Sequence, residues 1–273
     1  MFEEFWGFQA SPFLNVSTTR FFFRSRVHEE AIARMDYVVR RAKGAMVLLG
    51  PEGSGKTQTL RFFASLCVEA GLAVSFLKSP CADGADLLAQ ALAGFGLACE
   101  GTPEGRLASM LARLEAFASD GWAPGRPKVI LVDDAERLPD GDACEAIRRV
   151  LAIETETGNP IAVLLAGTPA LRTHPGYARD LSPRIEVQHT LASLDADETR
   201  AYVRDHLAKA GGATDVFQGV ALDLIAQATG GTPRKINAIC DACLFIAGGE
   251  GKRTVDRNIV AQAIVELRDL LAA

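Results

Sequence analysis

The stretch Gly-Ala-Met-Val-Leu-Leu-Gly-Pro-Glu-Gly-Ser-Gly-Lys-Thr, residues 44–57, decides the fold of this chain. Its apolar run from Ala45 to Leu49 predicts a buried strand, which leads directly into the pattern G-x-x-x-x-G-K-T from Gly50 to Thr57. Glycines permit backbone angles at which consecutive N–H groups turn inward and surround phosphate oxygens. A helical pattern follows, as such a loop requires. The segment therefore predicts a phosphate-binding loop.

The residues of this loop have separate expected tasks. Lys56 would reach the β- and γ-phosphates of a nucleotide, and the Thr57 hydroxyl would contact Mg²⁺. The expected ligand is therefore ATP or ADP together with Mg²⁺. The predicted nucleotide-binding residues of the loop are Gly50, Pro51, Glu52, Gly53, Ser54, Gly55, Lys56, Thr57 and Gln58.

Composition and charge narrow the class of protein. Of the 273 residues 48% are hydrophobic, which is enough for a full core and too many for a disordered chain. The 29 basic and 34 acidic residues give a net charge of −5, so a global electrostatic attraction to nucleic acid is not indicated, although local basic patches remain open. No apolar run approaches the roughly 20 residues of a membrane span, and the first residues lack the basic region of a secretory signal. We therefore expect a cytoplasmic protein without a membrane span.

The six cysteines are scattered along the chain, which argues against a disulfide framework. Cys240 and Cys243 form a C-x-x-C pair, but neither a second pair nor a histidine cluster accompanies them, as a zinc site would need. Both lie in an apolar helical pattern, so we predict that they are buried core thiols.

Aromatic residues crowd the first 27 residues, which we call the leader. Half of the 14 phenylalanines lie here, so the segment should pack on the protein or on a neighbouring subunit. An adenine ring needs an apolar slot that the phosphate loop does not supply. We therefore predict that the leader helps to enclose the base, with Phe23 and the nearby His28 beside it.

Apolar runs and helical patterns alternate through the middle of the chain. The predicted strands are Ala45–Leu49, Ala73–Leu77, Val129–Val132, Ile161–Ala166 and Ile185–Val187. The predicted helices are 27–43, 55–71, 84–94, 104–119, 138–156 and 169–174. Continuous apolar strands that alternate with helices indicate an α/β fold, in which helices cover both faces of a parallel sheet.

Strand patterns stop after about residue 193. The predicted helices of the remainder are 195–210, 216–228, 233–247 and 255–271, with Thr232 as an N-cap and Pro233 in the first turn of the third. The sequence therefore predicts a leader over 1–27, a phosphate-loop α/β domain over 28–193 and a small all-helical domain over 194–273.

Two adjacent acids follow another apolar strand, about eighty residues after the loop lysine. The run from Val129 to Val132 leads into Asp133 and Asp134, and the carboxyl end of a parallel strand lies at the same sheet edge as the phosphate loop. We predict that Asp133 supports Mg²⁺ and that Asp134 polarises or orients the attacking water.

Nucleotide hydrolysis also needs positive charge on the transferring phosphoryl group. Arg184 precedes the last predicted strand, and Arg234 follows Pro233 at the start of a predicted helix. Both are candidates on this ground, and residue type alone assigns neither a role.

The order of these motifs resembles the AAA+ ATPases, and most closely the family of the general secretion pathway ATPase ExeA. The resemblance covers nearly the whole chain, and it is carried by the segments 11–13, 20–23, 25–31, 164–171, 184–194, 194–204 and 231–237. It implies that Thr168 is a sensor-1 residue, that Arg184 is an arginine finger acting on a neighbouring subunit, and that Arg234 is a sensor-2 residue with Pro233 beside it. It also implies a homo-oligomer, a ring or a filament, in which the all-helical domain is the lid.

Two positions depart from the pattern of this family. The family usually carries Asp-Glu at the strand end, whereas this chain has Asp133-Asp134, whose second acid is shorter by a methylene group. The departure points to slow turnover or to a role for Glu136. The family often carries Gln where this chain has Thr168, whose hydroxyl can still contact a γ-phosphate or water.

The leading hypothesis is an ATP-hydrolysing switch that works as an oligomer on a macromolecular partner. A small-molecule P-loop kinase shares the phosphate loop, but the four-helix tail with Thr232-Pro233-Arg234-Lys235 favours the switch. A third hypothesis is an ATP-dependent, DNA-associated scaffold with slow hydrolysis, similar to regulators of transposition, with basic clusters near Arg40, Arg148 and Lys252 as contact points. The sequence leaves the partner open between a protein and DNA.

Overall fold

The computed structural model describes residues 2–14, 19–78, 81–98, 106–121, 123, 126–156 and 158–272. Cys99 and the first two residues of the helix predicted over 104–119 lie outside these ranges. The chain divides into two compact units. The loop–lid unit consists of Met1–Glu29, Glu52–Gln58 and Ala192–Ala273, and the sheet unit of Glu30–Pro51 and Thr59–Leu191. The three-part division at residues 27 and 193 stays a prediction.

The sheet unit is built on five parallel strands in the order β2-β3-β4-β1-β5. The strands are β1 Ala45–Leu49, β2 Val74–Lys78, β3 Lys128–Asp133, β4 Ile161–Gly167 and β5 Val187–Thr190. Because all five run in one direction, their carboxyl ends meet at one edge, where Leu49 pairs with Gly167. The predicted parallel α/β fold is confirmed.

Burial along the strands follows their place in the sheet. Every residue of β1 and β4 is buried, since both faces of these inner strands are covered. The edge strand β5 alternates between half-buried and exposed residues. It begins at Val187 rather than Ile185, because Ser182–Arg184 form a 3₁₀ turn that Ile185 ends.

The helices that complete the sheet unit differ from the prediction mainly at their ends. They are α4 Gly84–Gly94, α5 Arg106–Ser119 and α6 Asp142–Val150, and two further helices, α2 Arg26–Arg40 and α3 Lys56–Glu69, include residues of both units. The predicted helix 138–156 was too long. Gly141 precedes α6 at a φ of 111°, which no helix accommodates, and a turn that pairs Thr155 with Gly158 follows it. The segment predicted as helix over 169–174 is a 3₁₀ helix, Pro169–Thr173.

The loop–lid unit is helical. Its helices are α1 Phe2–Trp6, α7 Ala196–Lys209, α8 Gly219–Thr229, α9 Pro233–Gly249, α10 Arg257–Glu266 and α11 Arg268–Ala272. A capping box between Asp195 and Glu198 starts α7. The single helix predicted over 255–271 is interrupted at Leu267, which ends α10.

The leader is packed inside the loop–lid unit, as its aromatic composition predicts. The Gln9 N–H donates to the Ala210 carbonyl at 2.7 Å, and the Phe13 ring stacks on His206 with centroids 5.9 Å apart. Lys209 Nζ donates to the Phe22 carbonyl at 2.7 Å. The leader is therefore part of a folded core together with α7.

Cys240 and Cys243 lie wholly buried on α9, as predicted for core thiols. Burial raises the pKa of Cys243 to about 12 and the pKa of Cys240 well above its ordinary value, so both thiols stay protonated and inert. Among the described residues, no helix combines the length and the apolar character that crossing a membrane requires.

Candidate nucleotide site

The phosphate loop has the backbone of an anion-binding turn. Gly53 and Gly55 take φ values of 73° and 98°, which side chains disfavour, and α3 begins directly after them at Lys56. The N-terminus of a helix of this length presents unsatisfied N–H groups and a partial positive charge. The Lys56 side chain is itself buried at 7% exposure. The loop therefore offers N–H groups, a helix end and a lysine at the positions predicted for phosphate binding.

The start of α9 contacts this loop through its backbone. The Arg234 N–H donates to the Gly53 carbonyl at 3.2 Å. A Cβ on Gly53 would lie 2.6 Å from the Cβ of Arg234, so glycine is required there for space as well as for φ. Thr232 occupies the predicted N-cap, but its side chain makes no capping bond. The Gly53 carbonyl instead satisfies one of the donors that an N-cap side chain usually takes.

His28, in the first turn of α2, also contacts the loop. Its Nε2 lies 3.3 Å from the Ser54 carbonyl oxygen, and its Nδ1 lies 2.6 Å from Ser25 Oγ. The ring is buried at 4% exposure, and burial lowers its pKa. A Cβ on Gly55 would lie 2.8 Å from Nε2, so the ring sits directly against the loop backbone.

The loop–lid unit also contains the predicted site residues Arg234, Glu52, Pro233 and Phe23. The Arg234 guanidinium lies 3.7 Å from the Glu52 carboxylate, and both side chains are mostly exposed, so the pair contributes little to stability. Pro233 stands at the first position of α9. The Phe23 ring packs edge-on against Tyr202 of α7, with centroids 5.5 Å apart. The adenine contacts assigned to Phe23 and His28 stay predictions.

In the sheet unit, the two acids stand at the carboxyl end of β3. Asp133 is buried at 1% exposure, and its Oδ1 accepts a hydrogen bond from the Asp134 N–H at 3.1 Å. Asp134 takes the left-handed conformation, with φ 50° and ψ 43°. Aspartate tolerates this conformation better than most residues, and strain of this kind often occurs at functional sites.

A third acid lies two residues further along. Glu136 Oε2 is buried and has no hydrogen-bond partner among the described residues. A Cβ on Gly167 would lie 2.7 Å from this oxygen, so the carboxylate sits directly against the end of β4. Thr168 follows at once, and the Gly167 carbonyl accepts a bond from the Gly50 N–H at 3.2 Å. The sheet thus brings Glu136, the turn that carries Thr168 and the first residue of the loop to one edge.

Arg184 lies at the end of the 3₁₀ turn before β5. Its guanidinium is partly buried and donates to the Leu151 carbonyl at a long 3.5 Å. A hydrogen bond of this length is weak, so the side chain can exchange it for a stronger anionic partner.

The residues present fit a nucleotide and Mg²⁺. Ser54 is buried at 1% exposure, and its Oγ has no hydrogen-bond partner among the described residues. A buried hydroxyl of this kind is costly unless a ligand or water completes it. The assignment of Mg²⁺ to Thr57 and Asp133 stays a prediction, for an ion that commonly takes one or two protein ligands and completes its shell with phosphates and water. The described residues contain no cluster of three or more His, Cys, Asp or Glu side chains that could hold a metal ion.

Sequence reasoning missed how the loop is held. The predicted roles of His28 at the base and of Arg234 at the transferring phosphoryl group stay predictions, and the structure adds a contact of each residue with the loop backbone. The sequence carries a signal only for the Ser25–His28 hydrogen bond, because these residues stand three positions apart at the start of a helix. It carries none for the contact of His28 with Ser54 or for that of Arg234 with Gly53, where any residue other than proline supplies the same N–H.

This chain is similar to several known proteins. The family model of the AAA domain matches residues 39–174. General secretion pathway protein A of Aeromonas hydrophila is 30% identical over 275 residues, which cover 98% of this chain and 49% of that protein. The chain therefore spans about half the length of this curated relative.

Solved structures share the fold at low sequence identity. Cdc6p from Pyrobaculum aerophilum has a TM-score of 0.71 at 18% identity, covering 94% of this chain and 70% of its own. A Drosophila ORC structure bound to DNA has a TM-score of 0.67 at 19% identity, covering 94% and 64%. At these identities the likeness establishes a common fold and leaves activity and partners open.

Proposed function

We propose that this protein binds ATP with Mg²⁺ and hydrolyses it as an oligomeric switch on a macromolecular partner. The chain belongs to the AAA+ ATPase family, as its motifs predicted, and the proposal proceeds from that family. One observation carries the proposal. Gly53-Ser54-Gly55 have the backbone of an anion-binding turn at the start of α3, and the buried Ser54 hydroxyl has no hydrogen-bond partner among the described residues. The cytoplasmic location predicted from the sequence belongs to the same proposal.

The proposed chemistry gives each predicted residue a role. The loop N–H groups and Lys56 would bind the phosphates, and Asp134 would orient the attacking water. Thr168 would contact the γ-phosphate or that water. Arg184 would neutralise charge on the phosphoryl group of a neighbouring subunit, which makes the oligomer part of the active site. When bound, Mg²⁺ would supply positive charge to the β- and γ-phosphates.

Nucleotide binding by the Lys56→Ala variant tests the central claim. The substitution removes the point charge on the phosphates, so we expect the affinity for ATP to fall by a factor of about 10² or more. Titration of a fluorescent ATP analogue measures the affinity, and thermal unfolding without nucleotide checks the fold. Lys43→Ala is a matched control, because Lys43 is paired with Glu186 at the surface. Near-wild-type affinity in Lys56→Ala, with the fold intact, would remove the proposal.

A second candidate is an ATP-dependent, DNA-associated scaffold that hydrolyses slowly. The short acid Asp134 favours it, as does the likeness to a DNA-bound ORC structure. DNA binding that requires ATP, weakens with salt and accompanies slow turnover would support this candidate. If DNA does not change the turnover rate and does not bind in an ATP-dependent way, the partner is a protein rather than DNA. Phosphate transfer to a nucleoside or small alcohol would support the P-loop kinase instead.

A further inference from the structure

The phosphate loop is held by two consecutive carbonyl groups. The Gly53 carbonyl accepts from the Arg234 N–H at 3.2 Å, and the Ser54 carbonyl lies 3.3 Å from His28 Nε2. Since the C=O and N–H of a trans peptide point in opposite directions, each contact also fixes the direction of the next N–H. The Ser54 N–H is turned away from α9, and the Gly55 N–H is turned away from His28. These are N–H groups of the kind that such loops direct at phosphates.

The hydrogen bonds of His28 require one tautomer. A carbonyl oxygen can only accept, so Nε2 carries the proton and donates it to Ser54. The Nδ1 of the neutral ring then accepts from the Ser25 hydroxyl at 2.6 Å. Ser25 is buried at 3% exposure, and its Oγ also accepts from the His28 N–H at 3.4 Å. Ser25 of the leader thus orients the imidazole ring that donates to the loop.

We infer that His28 is a positioning residue of the phosphate loop, through which the leader sets the affinity for nucleotides. The inference rests on the proposed function, because it assigns a means of control to the same site. It does not require His28 to contact the base. Whatever binds or displaces the leader would change the orientation of the Ser54–Gly55 peptide, and with it the affinity for the phosphates common to ATP and ADP.

Substitutions of His28 and a matched histidine test this inference. His28→Leu removes the donor and keeps an apolar side chain, so we expect about tenfold weaker binding of both ATP and ADP. His28→Gln can place an amide N–H near the Nε2 position and should restore most of the affinity. The control is His174→Leu, because His174 Nε2 also contacts a backbone carbonyl, that of Leu138 at 2.8 Å, but belongs to the sheet unit and touches neither the leader nor the loop in any contact described.

Hydrogen exchange separates positioning from general destabilisation. In the nucleotide-free protein, the amides of residues 53–57 should exchange faster in His28→Leu, whereas their exchange rates should be unchanged in His174→Leu. If His28→Leu does not fold, His28→Gln is compared with Ser25→Ala. Ser25→Ala should then lose less than tenfold in nucleotide affinity, and its loop amides should exchange faster than those of the wild type. Unchanged affinity in the folded His28 variants, equal losses in the His28 and His174 variants, or no recovery in His28→Gln would each overturn the inference. Wild-type protein that binds no nucleotide would instead overturn the proposed function.

Discussion

In the loop–lid unit, residues from two other segments of the chain hold the phosphate loop, namely His28 and Arg234. In the sheet unit, β3 ends at Asp133, directly before Asp134, and is hydrogen-bonded to β2 on one side and β4 on the other. The acids therefore depend on the sheet itself, whereas the loop depends on contacts made by His28 and by the start of α9. The difference predicts that nucleotide binding and turnover can be altered separately.

The largest effect expected from this comparison is in the Arg184→Ala variant. Arg184 belongs to the sheet unit, so ATP binding should stay at the wild-type level while turnover falls by about 10³ or more, as for arginine fingers of GTPases. Phosphate release at saturating ATP measures the loss. Because the arginine would act on a neighbouring subunit, mixing this variant with Lys56→Ala should restore part of the activity. Activity that is linear in protein concentration, without recovery on mixing, would contradict the shared site.

Asp134→Asn should have the next largest effect. The amide cannot accept a proton from the attacking water, so turnover should fall by about 10²–10⁴ with ATP and Mg²⁺ binding retained. Asp133→Asn should differ by weakening the Mg²⁺-dependent part of binding. Single-turnover phosphate release and nucleotide titration with and without Mg²⁺ distinguish the two variants.

Glu136→Gln is the matched variant for Asp134→Asn, since Glu136 Oε2 is the buried carboxylate oxygen next to Gly167. It should leave turnover nearly unchanged if Asp134 orients the water. If Asp134→Asn turns over normally and Glu136→Gln does not, the water-orienting role belongs to Glu136.

The smallest effect is expected in the loop–lid unit, on the nucleotide affinity of the Arg234→Ala variant. The substitution removes the guanidinium but keeps the N–H that binds the Gly53 carbonyl, so the loop stays in place. ATP affinity should therefore fall by about fivefold through the lost γ-phosphate contact, and ADP affinity should change less. Lys235→Ala is the control, because Lys235 is the next residue of α9 and its Nζ donates to the Leu271 carbonyl rather than contacting the loop. Equal losses for ATP and ADP in Arg234→Ala would mean a structural role.

Much of the fold was predictable because short-range patterns carry it. The strands β1 and β4 were predicted to within a residue, since buried parallel strands form continuous apolar runs. The start of β5 was not, because the turn that ends at Arg184 has no such pattern. The helix predicted over 138–156 shows the same limit, since Gly141 takes a φ that only the folded turn reveals.

The sequence by itself determined the phosphate loop, the acids at the end of β3 and the family to which the chain belongs. Each of these is a local arrangement, in which the residue types and their spacing nearly dictate the geometry. Only the tertiary structure decided which groups hold the loop and where the leader packs. The contacts of Arg234 with Gly53, of Gln9 with Ala210 and of Lys209 with Phe22 join residues more than a hundred positions apart. The contact of His28 with Ser54 spans 26 positions. A local sequence pattern does not specify contacts between such separate segments, so the fold alone selects them.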